Sequence, residues 1–298
     1  MENCVTCLDY EWPNNGKTRC IEKPTDFLSY DRDSLTLVFN VITLILFVIA
    51  LSILGTFISY RDTPVVKANN RSLSFILLVS IKLSFLSVFL FLGRPVDITC
   101  MLRQTSFGIT FSIAISSTKP DSSWRKLAGA KLANTIVLVS SIIQVVISVI
   151  WLAISPPFAE QNIHSEPGKI IIQCNEGSVV AFYIVLSYMG LLASVSFIVA
   201  FLARSLPDSF NEAKYITFSM LLFCSVWITM IPAYLSTKGK YTVAVEIFAI
   251  ISSSCGLLFC IFLPKCYIIL LKPEMNTKLN LLGNKKKQCK SFKHSIHI

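Results

Sequence analysis

The feature that most limits the fold of this chain is a series of long apolar stretches separated by short charged connectors. The clearest of them is 215–235, which holds 21 residues and no charged side chain. A helix of that length crosses the roughly 30 Å hydrocarbon core of a bilayer at about 1.5 Å per residue. Ser209 and Glu212 precede it with the spacing of a capping box, which predicts the start of a helix. The stretch therefore predicts a membrane-spanning helix.

Seven such stretches occur along the chain, and together they predict an all-α membrane protein, a seven-transmembrane helix bundle over residues 34–271. Residues 1–33 are predicted to be a cysteine-bearing extracellular segment, and 272–298 a basic cytoplasmic tail. The predicted spans are 35–58, 73–92, 101–118, 132–154, 179–203, 215–235 and 243–263.

The third predicted span is the weakest, because only the 15 residues 104–118 separate Arg103 from Lys119. At about 1.5 Å per residue they cover roughly 22 Å, which is less than the usual crossing. We expect a thinned bilayer or an extended helix to cover the difference. If this stretch did not cross, the basic connector that follows it would lie outside the cell, against the charge pattern of the rest.

The distribution of charge predicts the orientation. Only 15% of residues are charged, against about 25% in an ordinary soluble domain. With the N-terminus outside, the inner side holds 17 Lys and Arg and the outer side nine, while the acidic residues number five and 12. Cytoplasmic loops of membrane proteins carry such an excess of basic residues. We therefore expect a multi-pass plasma-membrane protein with its C-terminus in the cytoplasm. Since the basic residues follow the membrane pattern, the net charge of +10 does not indicate a nucleic-acid partner.

The cysteines near the predicted outer face suggest disulfide bonds. Cys4, Cys7 and Cys20 are more consistent with disulfides than with zinc, which prefers four ligands, but three cysteines cannot all pair with one another. One partner is then missing or belongs to another chain. Cys100 and Cys174 are also predicted to face outside, where a bond between them is favoured over two separate buried thiols.

The residues give little support to catalysis or transport. The three histidines lack the spacing of a metal site or of a nucleophile and its base, so we expect no enzyme, cofactor or metal. Apart from Arg103 at the edge of the third span, Lys82 and Glu246 are the ionisable residues within the predicted spans, and the chain shows no internal repeat of the kind that transporters have. Lys82 could make an internal polar contact or be a tolerated or damaging substitution; without a visible acidic partner the second reading is favoured. A receptor remains.

Several motifs carry a family resemblance that covers nearly all of residues 1–275. The chain resembles the class C (family 3) G-protein-coupled receptors, and most closely the vomeronasal type-2 receptors. STKGK and PKCY favour these over calcium-sensing and taste relatives. The matching segments are DTPVVKANNR (62–71), TCMLRQ (99–104), FG (107–108), Trp151 with SPPF (155–158), CNEG (174–177), LPDSFNEAK (206–214), STKGK (236–240) and PKCY (264–267).

The resemblance implies a function as well as a fold. In this family an extracellular signal, here a peptide or protein pheromone, is captured by a bilobed N-terminal domain and passed through a cysteine-rich linker to the helices. The inner loops then engage a heterotrimeric G protein of the Gi/o type. The family disulfide falls on Cys100 and Cys174. Roles in activation and transduction fall on Glu212, Lys214, Trp227, Lys265 and Tyr267.

Two departures from the family pattern limit this carry-over. The bilobed domain is absent from the sequence, and residues 1–33 resemble only the end of the linker, so we expect an N-terminally truncated receptor. Relative to the family, about one to two dozen residues are also missing between Ser117 and Thr118, including a lysine that would pair with Glu212. Glu212 is then either a switch residue or a helix cap, and Trp227 either a switch residue or core packing.

The sequence therefore predicts a chemosensory class C receptor domain embedded in the lipid bilayer, with a receptor dimer as a further possibility. The alternative is a non-signalling membrane product or a dimerisation partner of full-length receptors. A small transporter is a third and weaker hypothesis.

Overall fold

The computed structural model describes residues 6–29, 33–68, 71–118, 121–163, 167–204, 212–272 and 274, without the side chains of 67–68, 121–132 and 212. Cys4, Ser209 and most of the predicted tail lie outside the described residues. The described part holds seven long helices and one short one: α1 Ser34–Ser59, α2 Pro64–Ala68, α3 Arg71–Phe91, α4 Asp97–Ser117, α5 Asp121–Ile154, α6 Val179–Ala203, α7 Glu212–Ser236 and α8 Lys240–Leu271.

The seven long helices form the predicted bundle, which confirms the all-α membrane fold. Six of them are long and apolar enough to cross a membrane by length and composition, namely all but α4. Helix α4 is more polar, but with 21 residues it has the same length as α3. It begins at Asp97, seven residues before the uncharged stretch 104–118. The helix continues through Arg103 because that side chain is buried inside the bundle.

The helices differ in how much of their surface faces the bundle. In the most apolar window of α1 22% of residues are buried, whereas in α3 and α8 56% are. Helices α3 and α8 therefore lie near the centre and α1 lies at the lipid boundary. The central pair is joined by a hydrogen bond between the hydroxyl groups of Ser84 and Ser254, 2.7 Å apart. Hydroxyl contacts of this kind between small residues allow close helix packing in a membrane.

Helix α4 ends inside the bundle. The carbonyl of Ile115 accepts a hydrogen bond from Ser196 Oγ at 3.1 Å, and Thr118 Oγ1 lies 3.4 Å from the sulfur of Met220. Ser196 is seven residues before the end of α6, and Met220 is eight residues after the start of α7. Ile115 is itself two residues before the end of α4. At about 1.5 Å per residue, α4 therefore ends roughly 8 to 12 Å short of the level where α6 ends and α7 begins.

Five short strands cover the end of the bundle at which α4 and α8 begin. They are β1 Glu11–Pro13, β2 Cys20–Glu22, β3 Thr25–Asp26, β4 Phe158–Asn162 and β5 Ile170–Asn175. Strands β1 and β2 form an antiparallel hairpin closed by the disulfide Cys7–Cys20. Strand β5 pairs with β4 antiparallel and with β3 parallel. The N-terminal segment and the loop between α5 and α6 thus share one sheet, a pairing that the sequence did not predict.

Candidate functional site

The β4–β5 hairpin is fastened over the mouth of the bundle. Cys174 on β5 is bonded to Cys100 in the first turn of α4, which is the pairing that the sequence indicated. At the other strand, Asp97 Oδ1 accepts a hydrogen bond from the backbone N–H of Ala159 at 2.8 Å. A third attachment runs from Trp151 Nε1 to the carbonyl of Glu176 at 3.1 Å. The hairpin is therefore fixed to α4 at both strands and to the end of α5.

Beneath the hairpin lies a polar cavity of about 210 Å³. Its charged side chains are one arginine and three glutamates, so the formal charge of its lining is negative. They come from α4, β4, the loop after β5 and α8, and are Arg103, Glu160, Glu176 and Glu246. Tyr234 of α7 is one of the uncharged polar residues that also line the cavity. An excess of carboxylates in a partly enclosed space attracts cationic groups. The cavity suits a small ligand with an amine or guanidinium group.

Arg103 is the buried cation of this cavity, with only 3% of its surface exposed. Its Nη2 donates a hydrogen bond to the carbonyl of Phe91 at 3.2 Å, and the guanidinium lies over the Phe91 ring at 4.6 Å. Its Nε has no hydrogen-bond partner among the described residues. Glu246 lines the same cavity from α8 and attracts Arg103 electrostatically. A buried charge without such compensation would be strongly unfavourable.

Tyr234 connects the hairpin side of the cavity to α7. Its hydroxyl group donates a hydrogen bond of 2.8 Å to Glu176 Oε1 in the loop that follows β5. Together with the disulfide at Cys174, this bond attaches the end of β5 and the residue after it to two different helices. A ligand that competed for Glu176 would therefore remove this hydrogen bond between α7 and the hairpin.

A second, smaller cavity of about 20 Å³ lies on the aromatic side of the site. It shares Gln104 and Glu246 with the polar cavity and is otherwise mostly apolar, with Phe107 and Trp227 among its lining residues. That volume has room for about one water molecule. The site therefore changes from a charged upper part to an aromatic floor.

Trp227 lies in a cluster of rings from α4 and α7. Its ring centroid is 5.1 Å from that of Phe107, 5.9 Å from Phe111 and 6.0 Å from Phe223. Its indole N–H is buried and has no hydrogen-bond partner among the described residues. These contacts describe core packing, and the predicted role of Trp227 in activation stays a prediction.

The other residues expected to act in transduction lie at the opposite end of the bundle. Lys214 is exposed in the first turn of α7, while Lys265 is buried in α8 with its amine 5.8 Å from the Phe262 ring. Tyr267 is 48% exposed. The side chain of Glu212 lies outside the described residues, although the residue itself begins α7. Their roles remain predictions.

Most of the polar cavity is not predicted from the sequence. In the sequence, Arg103 marks the boundary of an apolar stretch and Glu246 is an isolated charge near a helix start. The signal that could have identified Arg103 and Glu246 is that each charge lies within a largely apolar helix. Ionisable groups in such helices usually face the bundle interior and one another. Glu176 and Tyr234 carried no such signal.

Comparisons with known proteins agree with this architecture. A family model described as "7 transmembrane sweet-taste receptor of 3 GCPR" matches residues 30–265. Vomeronasal type-2 receptor 26 of Mus musculus is 52% identical over 286 residues, which cover 91% of this chain and 33% of that protein. Vomeronasal type-2 receptor 116 of Mus musculus is 43% identical over 291 residues, covering 93% and 34%. The extracellular calcium-sensing receptor of Homo sapiens is 43% identical over 308 residues, covering 92% and 28%.

The chain thus spans about a third of the length of the curated relatives that it matches. The region that the family model matches is the helical bundle with the β4–β5 hairpin, since residues 30–265 cover α1 through most of α8. On this match, the chain belongs to the class C (family 3) G-protein-coupled receptors and is similar to the vomeronasal type-2 receptors.

Proposed function

We propose that this chain is the transmembrane domain of a chemosensory receptor of the vomeronasal type-2 kind. It lies in the plasma membrane with its N-terminus outside and transmits a pheromone-type signal to a heterotrimeric G protein of the Gi/o type. The names of its relatives support the chemosensory assignment. The excess of basic residues on the proposed cytoplasmic side, and two disulfide bonds on the other, support the orientation.

The observation that carries the proposal is the way one hairpin connects three parts of the molecule. Strand β5 pairs with β3 of the N-terminal segment, is bonded to α4 through Cys174, and is followed by Glu176, which binds Tyr234 of α7. A displacement of the N-terminal segment is therefore passed directly to two helices. These two helices also form the aromatic cluster around Trp227.

The direct test is nucleotide exchange by a purified Gi/o heterotrimer in the presence of the full chain in lipid nanodiscs. We expect exchange above the rate of the G protein alone, because the bundle is expected to sample active arrangements without a ligand. Trp227→Ala, which removes three ring contacts, is expected to change that rate, while Leu202→Ala, on an exposed face of α6, is expected to leave it unchanged. Exchange equal to that of the G protein alone would contradict the proposal.

A second function is favoured by one specific observation. Helix α4 ends roughly 8 to 12 Å short of the level where α6 ends and α7 begins, so α4 contributes less surface than α6 and α7 at that end of the bundle. A bundle with that gap could associate with full-length receptors without activating a G protein. Co-purification with a full-length vomeronasal type-2 receptor, together with no exchange, would support this role over the first.

A further inference from the structure

Lys82 places an amine near the middle of the membrane. It is followed by nine residues of α3 and preceded by 11, so about 14 to 16 Å of helix separates it from either end. A lysine has a four-carbon stem, which is far shorter than that distance. The amine therefore cannot reach the lipid headgroups by extending along the helix.

Lys82 contacts a residue that is also at the middle of its own helix, α1. Its amine lies 5.4 Å from the centre of the Phe47 ring on α1. Phe47 is itself central, with 13 residues of α1 before it and 12 after it. A cation over an aromatic ring is stabilised on one side only. Among the residues that the structure describes, no carboxylate lies within ion-pair distance of Lys82.

The surface around Lys82 faces outward. On α3 the neighbouring Val79, Leu83 and Leu86 are each close to half exposed. On α1 the residues at the same spacings from Phe47 are equally exposed: Leu44, Val48 and Leu51. The two rows lie on neighbouring helices that meet where Lys82 contacts Phe47, and Lys82 itself is half-buried. We call the surface made of these two rows and Lys82 the α1–α3 groove.

From this geometry we propose that the α1–α3 groove binds a transmembrane helix of a different protein, through a carboxylate at the middle of that helix. Ionisable groups inside a membrane pair with one another, because an unpaired charge in hydrocarbon is unfavourable. A partner of this kind would supply the acid that the chain itself does not bring to Lys82. The apolar rows on both sides would pack against the rest of the partner helix.

A second copy of this chain does not fit the groove. In the described membrane helices, Asp97, Asp121 and Glu212 lie at helix starts, where they cannot meet a cation at mid-depth. Glu246 lies six residues into α8 and lines the polar cavity with Arg103. The occupant is therefore a different chain.

The test uses synthetic transmembrane peptides as the partner. The full chain, carrying an acceptor dye, is reconstituted in phosphatidylcholine vesicles at pH 8 with a donor-labelled leucine–alanine helix that has one glutamate at its centre. The matched peptides have glutamine or leucine at that position, or the glutamate in a terminal turn. Energy transfer measures association. We expect the peptide with the central glutamate to bind at least ten times more tightly than the other three.

Variants of the chain then identify the residue responsible. Lys82→Met keeps the length of the side chain and removes the charge, so the preference for glutamate should disappear while the helical circular dichroism stays the same. Lys82→Glu should reverse the preference and select a peptide with a central lysine. Equal binding of all four peptides, or a preference that persists in Lys82→Met, would refute the proposal. Self-association of the chain that depends on Lys82 would also refute it, because a second copy would then be the occupant.

Discussion

An ion cluster at the outer end of the bundle gives the most specific prediction. The amine of Lys240, at the start of α8, lies 2.9 Å from Asp33 Oδ1 and 3.5 Å from Asp26 Oδ1. The three side chains are 18% to 23% exposed, so water screens them only in part. Asp33 precedes α1 and Asp26 ends β3, so the cluster joins the N-terminal segment to α1 and α8. We predict that Asp33→Asn and Lys240→Met both destabilise the outer end.

The magnitude follows from what each change removes. Exposed ion pairs contribute about 0.2 to 1 kcal/mol, and hydrogen bonds to charged groups about 1.5 to 3 kcal/mol. For a partly exposed cluster we expect Asp33→Asn to cost about 1 kcal/mol. Lys240→Met leaves Asp33 without its cation and leaves Asp26 only the more exposed Lys169, 3.6 Å away, so its cost should be nearer 2 kcal/mol. Lys238→Met removes an exposed lysine two residues away and should cost less than about 0.5 kcal/mol.

The pH dependence provides an independent check. The hydrogen bond from Lys240 lowers the pKa of Asp33; partial burial opposes this, while the Ser29 N–H and the charge of Lys240 add to the lowering. An unfolded aspartate has a pKa of about 3.9. A carboxyl group with a lowered pKa in the folded state contributes its stability fully above the unfolded pKa, and loses it as the pH falls through the folded value. The difference between wild type and Asp33→Asn should therefore be constant from pH 7 to 5 and shrink below about pH 4.

The assay is thermal unfolding of the purified chain in one detergent, followed by circular dichroism, with hydrogen exchange of the N-terminal segment as a local measurement. Asp33→Asn should lower the melting temperature and speed exchange around β3, whereas Lys238→Met should do neither. Three results would contradict the reasoning. They are unchanged unfolding in both cluster variants, an equal effect of Lys238→Met, and a difference that already vanishes between pH 7 and 5.

Three further predictions test the packing of the bundle. Cys174→Ser should lower stability by about 2 to 4 kcal/mol, since the bond to α4 closes a loop of 74 residues, and a reductant should have the same effect on the wild type but none on the variant. Gly108→Ala should cost about 1 to 3 kcal/mol, because its new methyl group would lie 2.7 Å from Gln144 Nε2, whereas Gly190→Ala, with nothing within 4 Å, should be neutral or slightly stabilising; thermal unfolding of both variants decides. Trp227→Phe should keep most of the ring contacts and lose less stability than Trp227→Ala, for which about 3 to 5 kcal/mol is expected, and equal losses would show that the rings contribute little.

The membrane helices could be predicted from the sequence because the bilayer imposes one simple requirement on each of them. Residues 215–235 have to be uncharged over about 30 Å whatever packs beside them, and the structure has α7 there. Charge alone does not show where α4 begins, because the helix starts at Asp97 and continues through Arg103. The guanidinium of Arg103 donates to the Phe91 carbonyl and covers the Phe91 ring inside the bundle.

The outer sheet and most of the cavity could not be predicted in this way. Strand β3 has two residues, and its pairing with β5 joins Thr25 to Ile170 across 145 positions of sequence, so no local pattern marks it. The disulfide between Cys7 and Cys20 was one of the combinations that the three N-terminal cysteines allow. Which cysteines bond depends on the β1–β2 hairpin, and that hairpin is recognised only once the chain is folded.

The parallel pairing of β3 with β5 also has a mechanical consequence. Thr25 and Asp26 lie beside Ile170 and Ile171, and the carbonyl of Pro24 accepts a hydrogen bond from the N–H of Ile170. A pull on the chain before β3 loads these hydrogen bonds in shear, so that they bear the force together instead of opening one after another. The load then travels along β5 to the covalent bridge at α4. Tension applied to the N-terminal segment is therefore delivered to the bundle as a displacement, with little slack to absorb it.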